Sequence, residues 1–121
     1  MLGAITLTPA YDICPQARSG QEASQAILIS GTNRMSRIAS CLEAAYHFLL
    51  SAPQAVALVE RQLRCIAENW PRVSEEAALS GTDRNLFWGR LFLNPYAFTA
   101  LEGSADALRA LADELRNSTH A

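Results

Sequence analysis

An acidic residue stands between two prolines near the start of the chain, in the stretch "LTPAYDICP". Asp12 follows Tyr11 and lies between Pro9 and Pro15, whose rings restrict the backbone on both sides of it. A carboxylate held in this way suits a hard cation such as Mg²⁺, which prefers oxygen ligands. Aspartate close to proline is also a common turn former. The local sequence therefore leaves two roles open for Asp12, metal ligand and turn former.

Other residues with reactive or ligating side chains are scattered along the chain. The chain has three cysteines, Cys14, Cys41 and Cys65. They lack C-x-x-C spacing, which argues against a disulfide framework or a zinc site and fits a reducing cytoplasm. His47 has no cysteine or histidine at metal-ligand spacing, so we interpret it as an ordinary helix histidine. All 10 basic residues are arginine. The absence of lysine excludes Schiff-base chemistry and a phosphate-binding P-loop lysine.

Length and composition predict one globular domain over residues 1–121. Half of the 121 residues are hydrophobic, which is enough for one modest core. A formal net charge of -2 gives no broad attraction to nucleic acid or to anionic membranes. The first residues do not resemble a signal peptide, and no stretch approaches the roughly 18 apolar residues of a membrane helix. We therefore expect a cytoplasmic protein without a membrane partner.

The elements that must position Asp12 are predicted to be one short strand followed by helices. Residues 2–7 are partly β-branched and predict a strand, or an extended entry to the fold, that ends at Pro9. Residues 16–34 predict a loop, with one short strand at 26–29. Apolar residues then recur at helical spacing from Ile38 to Leu49, with Ser36 as the expected N-cap.

A second long helix is predicted behind a capping box formed by Ser51 and Gln54. Pro71 is expected to end it or to open a short third helix, and Thr82 could cap a fourth. The aromatic-rich stretch 83–103 predicts core packing. Ser104 precedes an amphipathic C-terminal helix, and the fold class is mainly α. We expect the apolar face of 42–49 to pack against one set of residues in the second helix: Val59, Leu63 and Ile66.

Two stretches, "LTPAYDICPQARSGQEASQAI" and "DRNLFWGRLFLNPYAF", resemble the C-terminal region of the HipA family. These are serine/threonine kinases that act as toxins in bacterial type II toxin-antitoxin systems. The resemblance covers Ile5 to Glu102 and implies the helical part of a kinase C-lobe. It places Asp12 at the position of the DFG aspartate, which holds magnesium against the nucleotide phosphates. Tyr11 would then line the nucleotide pocket; alternatively it is a partly buried tyrosine with a backbone partner.

Several kinase parts that precede the DFG-like position have no counterpart among the 11 residues before Asp12. The chain has no G-x-G-x-x-G loop, no D-x-x-x-x-N catalytic loop and no lysine. We therefore expect the last part of a kinase, inactive alone, with ATP and Mg²⁺ bound only in the complete enzyme. An apolar patch should be exposed where the rest of the lobe packs. The alternative is a non-enzymatic module that binds an antitoxin or a complementary kinase fragment.

The resemblance also implies partners. It implies a protein substrate phosphorylated on serine or threonine, typically an aminoacyl-tRNA synthetase, a complementary N-terminal kinase portion and a HipB-like antitoxin. DNA would be contacted only through the antitoxin complex, where Arg61 and Arg64 could reach phosphates. Opposite charges at Glu60 and Glu68 favour an ordinary solvated helix face instead. Three residues of the stretch "GQEASQA" match the family pattern: Glu22, Ser24 and Gln25. They either shape the loop beside the active-site cleft or form a capped turn.

Overall fold

The structure, a computed structural model, describes residues 3–11, 20 and 22–118. It is mainly helical, as the sequence predicts. Its α-helices are α1 Ile38–Ala44, α2 Ala52–Glu76, α3 Gly81–Leu86 and α4 Asp106–Asn117. A π-helical segment, Phe87–Phe92, continues α3, and 3₁₀ turns occur at Ala45–Phe48, Pro95–Phe98 and Gly103–Ala105. In the described ranges, none of the helices is both long and apolar enough to cross a membrane.

The predicted N-terminal strand is wrong for the residues that can be compared. Residues 3–11 form neither a strand nor a backbone hydrogen bond to any other described residue. A strand needs a neighbour to pair with, and Ile5 and Leu7 are fully exposed. The short strand predicted at 26–29 is also absent; the loop instead contains two isolated bridges, Ser24 with Met35 and Ser30 with Asn33.

The first predicted helix is shorter than its apolar pattern. Arg37, not Ser36, occupies the N-cap of α1. The α-helix ends at Ala44, and the chain tightens into a 3₁₀ turn that stops at Leu49, whose φ of 60° lies in the left-handed region. The helical face predicted to continue to Leu49 therefore ends early, and Leu49 is 93% exposed.

The capping box at the start of α2 is confirmed. The Gln54 backbone N–H donates to Ser51 Oγ at 3.3 Å, and Ser51 N–H donates to Gln54 Oε1 at 2.9 Å. Pro71, however, lies inside α2 and does not end it. The helix tolerates the missing N–H because Trp70 and Ser74, on either side of the proline, are buried in the protein. The predicted third helix is thus the end of α2, and Ser80 rather than Thr82 caps α3.

One cluster of buried side chains joins the helices, and Leu63 of α2 is part of it. Leu42 and Val59 are partly buried against this cluster, as expected, whereas Ile66 is exposed. Trp70 of α2 also belongs to the cluster, which is completed by the aromatic-rich stretch, the turn before α4 and the apolar face of α4: Trp88, Leu93, Phe98, Leu101, Ala105, Leu108, Leu111 and Ala112. The amphipathic C-terminal helix is confirmed.

The end of α2 offers a test of backbone conformation. Ala78 has a φ of 56°, and its N–H and that of Leu79 bond back to the carbonyls of Glu75 and Ser74. This is the hydrogen-bond pattern of a Schellman cap, whose left-handed position is usually glycine. Ala78→Gly should raise the free energy of unfolding by roughly 0.5 to 1 kcal/mol, because the left-handed cost for alanine exceeds the entropy cost of glycine.

Urea denaturation of the two chains measures this difference. Ala77→Gly is the matched control, since Ala77 has an ordinary right-handed φ of -77°. At Ala77 the same substitution should lower the free energy of unfolding, because glycine increases the conformational entropy of the unfolded chain and relieves no strain in the folded one. Equal destabilisation by both substitutions would contradict the left-handed cap.

Candidate functional site

The predicted site residues at the N-terminus lie at the edge of the described part of the chain. Asp12, the predicted magnesium ligand, lies outside the described residues, so that role stays a prediction. Tyr11 is described and is 75% exposed. Its hydroxyl and ring have no hydrogen-bond or ring partner among the described residues. The alternative of a partly buried tyrosine with a backbone partner is therefore not what the structure shows.

Residues 23–25 are hydrogen-bonded to residues 34–36, just before the start of α1. The Gln25 N–H donates to the Arg34 carbonyl at 2.6 Å, and the Ser36 N–H donates to the Ala23 carbonyl at 2.9 Å. The Gln25 side chain adds a bond from Nε2 to Ser36 Oγ at 2.7 Å. These contacts bring residues 23–25 alongside 34–36. Ser24 and Gln25 thus lie in a short antiparallel bridge to residues 34–36, and the choice between a cleft-shaping role and a capped turn stays a prediction.

Asn33 ties the same loop to the body of α1. Its Oδ1 accepts from the Met35 N–H at 3.0 Å and from Ser40 Oγ at 3.1 Å. Its Nδ2 donates to Glu43 at 3.2 Å. Ser40 is completely buried, so this polar contact is one whose loss would leave a buried hydroxyl unsatisfied. A polar network consequently holds residues 23–36 against the start of α1.

Arg61 and Arg64, the predicted phosphate contacts, lie exposed on α2. Arg64 Nη2 is 3.0 Å from Glu60 Oε1, whereas no ion pair joins Arg64 to Glu68 within the described ranges. Both arginines share one shallow surface with both glutamates. The formal charges of this surface balance, so it offers no positive potential for DNA. The contacts favour a solvated helix face.

The second resemblance stretch, residues 83–98, is largely scaffold. Trp88 stacks on Trp70 with ring centroids 5.9 Å apart, and Phe92 meets Trp70 edge-on at 5.0 Å. Asn94 is 2% exposed; its Nδ2 donates to the Arg90 carbonyl at 2.8 Å, and its Oδ1 accepts from the Tyr96 N–H at 3.0 Å. These residues therefore pack and cap, and none of these contacts supplies a reactive group.

This stretch also anchors the end of α4. Trp88 Nε1 donates to the Leu115 carbonyl at 3.1 Å, and Arg116 donates from Nε and Nη2 to the Leu93 carbonyl at 2.9 and 2.7 Å. Arg90 is exposed and forms no ion pair with a described residue. The aromatic stretch thus positions helices and does not build a charged site.

Histidine and acidic residues form no metal centre in the described part of the chain. His47 is exposed and lies against Tyr46, with ring centroids 3.9 Å apart. Among residues 3–11, 20 and 22–118, no group of three or more His, Cys, Asp or Glu side chains could hold a metal ion. His120 lies outside these ranges. The helix-histidine interpretation of His47 accounts for its contacts.

Cavities beside α4 are lined by acidic residues, which was not predicted from the sequence. Glu43, Glu102 and Glu114 are far apart in sequence, and only the crossing of helices brings them to the rims of neighbouring cavities. One signal was present in α4: Ala107 and Ala110 widen its apolar face beyond the leucine stripe, and both are exposed. An apolar face wider than its packing partner indicates surface left for another contact.

Comparison with known proteins returned no match: no family model, no curated protein and no solved structure is significantly similar to the chain. The resemblance to HipA kinases therefore depends on the two quoted stretches alone.

Proposed function

We propose that the chain is the C-terminal portion of a HipA-like serine/threonine kinase toxin. In this proposal Asp12 is the magnesium-binding aspartate, Tyr11 lines the nucleotide pocket and the helices form the scaffold of the C-lobe. The support is the occurrence of "LTPAYDICP" and "DRNLFWGRLFLNPYAF" in one chain, in the order expected from the resemblance. Fold likeness alone would not carry a function, since one fold hosts many.

The observation that carries the proposal is the separation of the core from the N-terminal segment. Every buried hydrophobic residue of the described chain lies between Ala44 and Ala112. Ile5, Leu7 and Tyr11 contribute nothing to that core and remain exposed. A segment that is apolar and yet uncovered is available to pack against another part of a kinase. The arrangement supports a scaffold whose N-terminal segment is completed by a partner.

The chemistry requires groups that this chain lacks. Phosphoryl transfer by a kinase needs a phosphate-covering loop, a lysine on the nucleotide and a catalytic aspartate, besides the metal aspartate. Mg²⁺ demands octahedral oxygen ligands, so one carboxylate would leave it mostly hydrated. A complementary N-terminal kinase portion would supply the missing groups, and ATP and Mg²⁺ are cofactors of the complete kinase. When bound, the metal would neutralise charge on the transferred phosphoryl group.

The wider role follows from the resemblance and belongs to the same proposal. The substrate would be serine or threonine in a protein, typically an aminoacyl-tRNA synthetase, and its phosphorylation would arrest translation. A HipB-like antitoxin would bind the complete kinase in the cytoplasm and would provide the contact with DNA. The balanced charges around Arg61 and Arg64 favour a minor role for these two residues in that contact.

A second candidate function is a non-enzymatic interaction module. The turn that follows α1 exposes three large apolar side chains: Tyr46, Phe48 and Leu49. Such neighbouring side chains are typical of a contact surface for another protein. In this alternative the chain binds an antitoxin or a kinase fragment and supplies no group to the reaction. The absence of lysine from the whole chain is consistent with it.

Reconstitution distinguishes the two functions. The chain is mixed with an N-terminal HipA-like kinase portion that carries the lysine and the catalytic loop, and phosphate transfer from ATP to protein serine or threonine is measured. We expect no transfer and no appreciable Mg-ATP binding by either portion alone, and transfer by the mixture. A complex that forms and never phosphorylates would favour the interaction module. Turnover of ATP by the chain alone would contradict the proposal that it needs a complementary portion.

A further inference from the structure

Two neighbouring cavities lie on the surface along α2. The first has a volume of about 310 Å³ and lies between α1, the start of α2 and the turn before α4, above Leu42 and Leu101. The second has a volume of about 250 Å³ and lies between α2 and α4, above Leu108 and Leu111. Val56 lines both cavities, so they lie side by side on α2. We call the combined surface the α2–α4 groove.

The α2–α4 groove has a low apolar floor. Leu101, Leu108 and Leu111 are buried beneath it, and small side chains form much of its exposed lining: Ala52, Ala100, Ala107 and Ala110. Small side chains let another backbone approach closely, as they do where helices pack tightly. Ala100 also has a φ of 60°, a left-handed conformation that costs an alanine about 1 to 2 kcal/mol. This rim is thus held in a conformation that alanine does not favour.

The rims of the groove are acidic. Four carboxylates line it, Glu43, Glu60, Glu102 and Glu114, against one guanidinium, that of Arg64. Arg64 is already paired with Glu60 at 3.0 Å. The other three carboxylates form no ion pair with any residue in the described ranges. Since the whole chain carries a formal charge of only -2, its negative charge is concentrated around this apolar floor.

We propose that the α2–α4 groove docks a basic amphipathic segment of a partner protein. Its apolar side chains would lie on the leucine and alanine floor, and its lysine or arginine side chains would reach the unpaired glutamates. Nucleic acid and acidic peptides are disfavoured by the same carboxylates. A second copy of this chain is a poor occupant, because the exposed arginines of α2 alternate with glutamates. The inference uses only the groove lining and does not depend on the kinase proposal.

Peptide binding tests the proposal directly. The probe is a synthetic helical peptide with leucines on one face and lysines flanking them, and a second peptide carries glutamate at each lysine position. Fluorescence anisotropy of labelled peptide gives the dissociation constants. The lysine peptide should bind at least about tenfold more tightly than the glutamate peptide, and added salt should weaken it. Absence of binding by the lysine peptide, or equal binding of both, would overturn the proposal.

Variants locate the binding on the groove. Glu114→Arg should weaken the lysine peptide about tenfold, while Glu75→Arg, an equal charge change at an exposed position near the end of α2, should leave it within about twofold. Ala110→Trp blocks the floor without changing charge and should also weaken binding about tenfold. Circular dichroism verifies that each variant keeps its helices. If Glu114→Arg and Glu75→Arg weaken peptide binding equally, the loss of affinity comes from the change in net charge alone, and the proposal is overturned. Self-association that Ala110→Trp abolishes would assign the groove to a second copy instead.

Discussion

Asp12→Asn is expected to lower phosphorylation by the reconstituted kinase by at least about a hundredfold, since metal stabilisation of the transition state is worth several kcal/mol. Asparagine keeps the shape of the side chain and removes the charge that would hold Mg²⁺ against the phosphates. The rate of phosphate transfer to protein serine or threonine, measured at ATP and magnesium concentrations that saturate the unsubstituted kinase, gives the effect. Raising the magnesium concentration should recover part of the rate if metal affinity is what was lost.

Two controls make this result specific. The helical content of the chain should not change, because the buried hydrophobic residues lie between Ala44 and Ala112 and Asp12 is outside that range. Glu75→Gln makes the same carboxylate-to-amide change at an exposed position near the end of α2 and should leave the rate unaltered. If the Asp12→Asn mixture phosphorylates as fast as the original, the aspartate is a turn former and the metal assignment is wrong.

Local signals in the sequence were sufficient for the elements that depend on neighbouring residues. The capping box of Ser51 and Gln54 involves residues three apart, and the structure forms both of its hydrogen bonds. The leucine stripe of α4 was predicted from helical spacing, and Leu108 and Leu111 are buried. The capping box is satisfied within one turn, and the spacing of the leucines alone identifies the face of α4 that packs on the core.

Features that depend on distant residues could not be predicted in this way. Proline normally ends a helix, and Pro71 does not, because burial of Trp70 and Ser74 on either side outweighs one missing hydrogen bond. The apolar pattern of residues 2–7 suited a strand, but a strand also needs a partner, which the described chain does not provide to residues 3–7. At Pro71, packing outweighs the tendency of proline to end a helix. In residues 3–7, the tendency to form a strand has no partner strand to satisfy it.

The resemblance stretches also divide by role. The aromatic-rich stretch was predicted to pack in the core, and the structure confirms this: Trp88 is buried and stacks on Trp70, and Asn94 caps the following turn. Asn94 is buried with its amide bonded to backbone, so its place in the motif reflects structure. A sequence motif contains residues that pack and residues that take part in chemistry, and only their contacts in the structure distinguish the two. The chemical part of the resemblance is therefore confined to Tyr11 and Asp12.

Leu63→Ala is expected to lower the free energy of unfolding by about 2 to 5 kcal/mol, as truncation of a buried leucine usually does. Leu63 is 7% exposed and belongs to the buried cluster that also contains Leu108 and Leu111 of α4. Removing its side chain takes apolar contacts from α2 where helices meet, and the cavity closes only partly. Because domains of this size are stable by roughly 5 to 15 kcal/mol, such a loss is a large fraction of the total.

Leu58→Ala is the matched control for this experiment, because it makes the same substitution on the same helix at a residue that is 43% exposed. Its loss should stay below about 1 kcal/mol, since Leu58 keeps much of its contact with water in the folded protein. Urea denaturation followed by circular dichroism gives both values, and an unchanged slope shows that the unfolded states are comparable. A loss under about 0.5 kcal/mol for Leu63→Ala, the range of surface substitutions, would place Leu63 outside the core. Equal losses at the two positions would show that α2 is not packed through the face that carries Leu63.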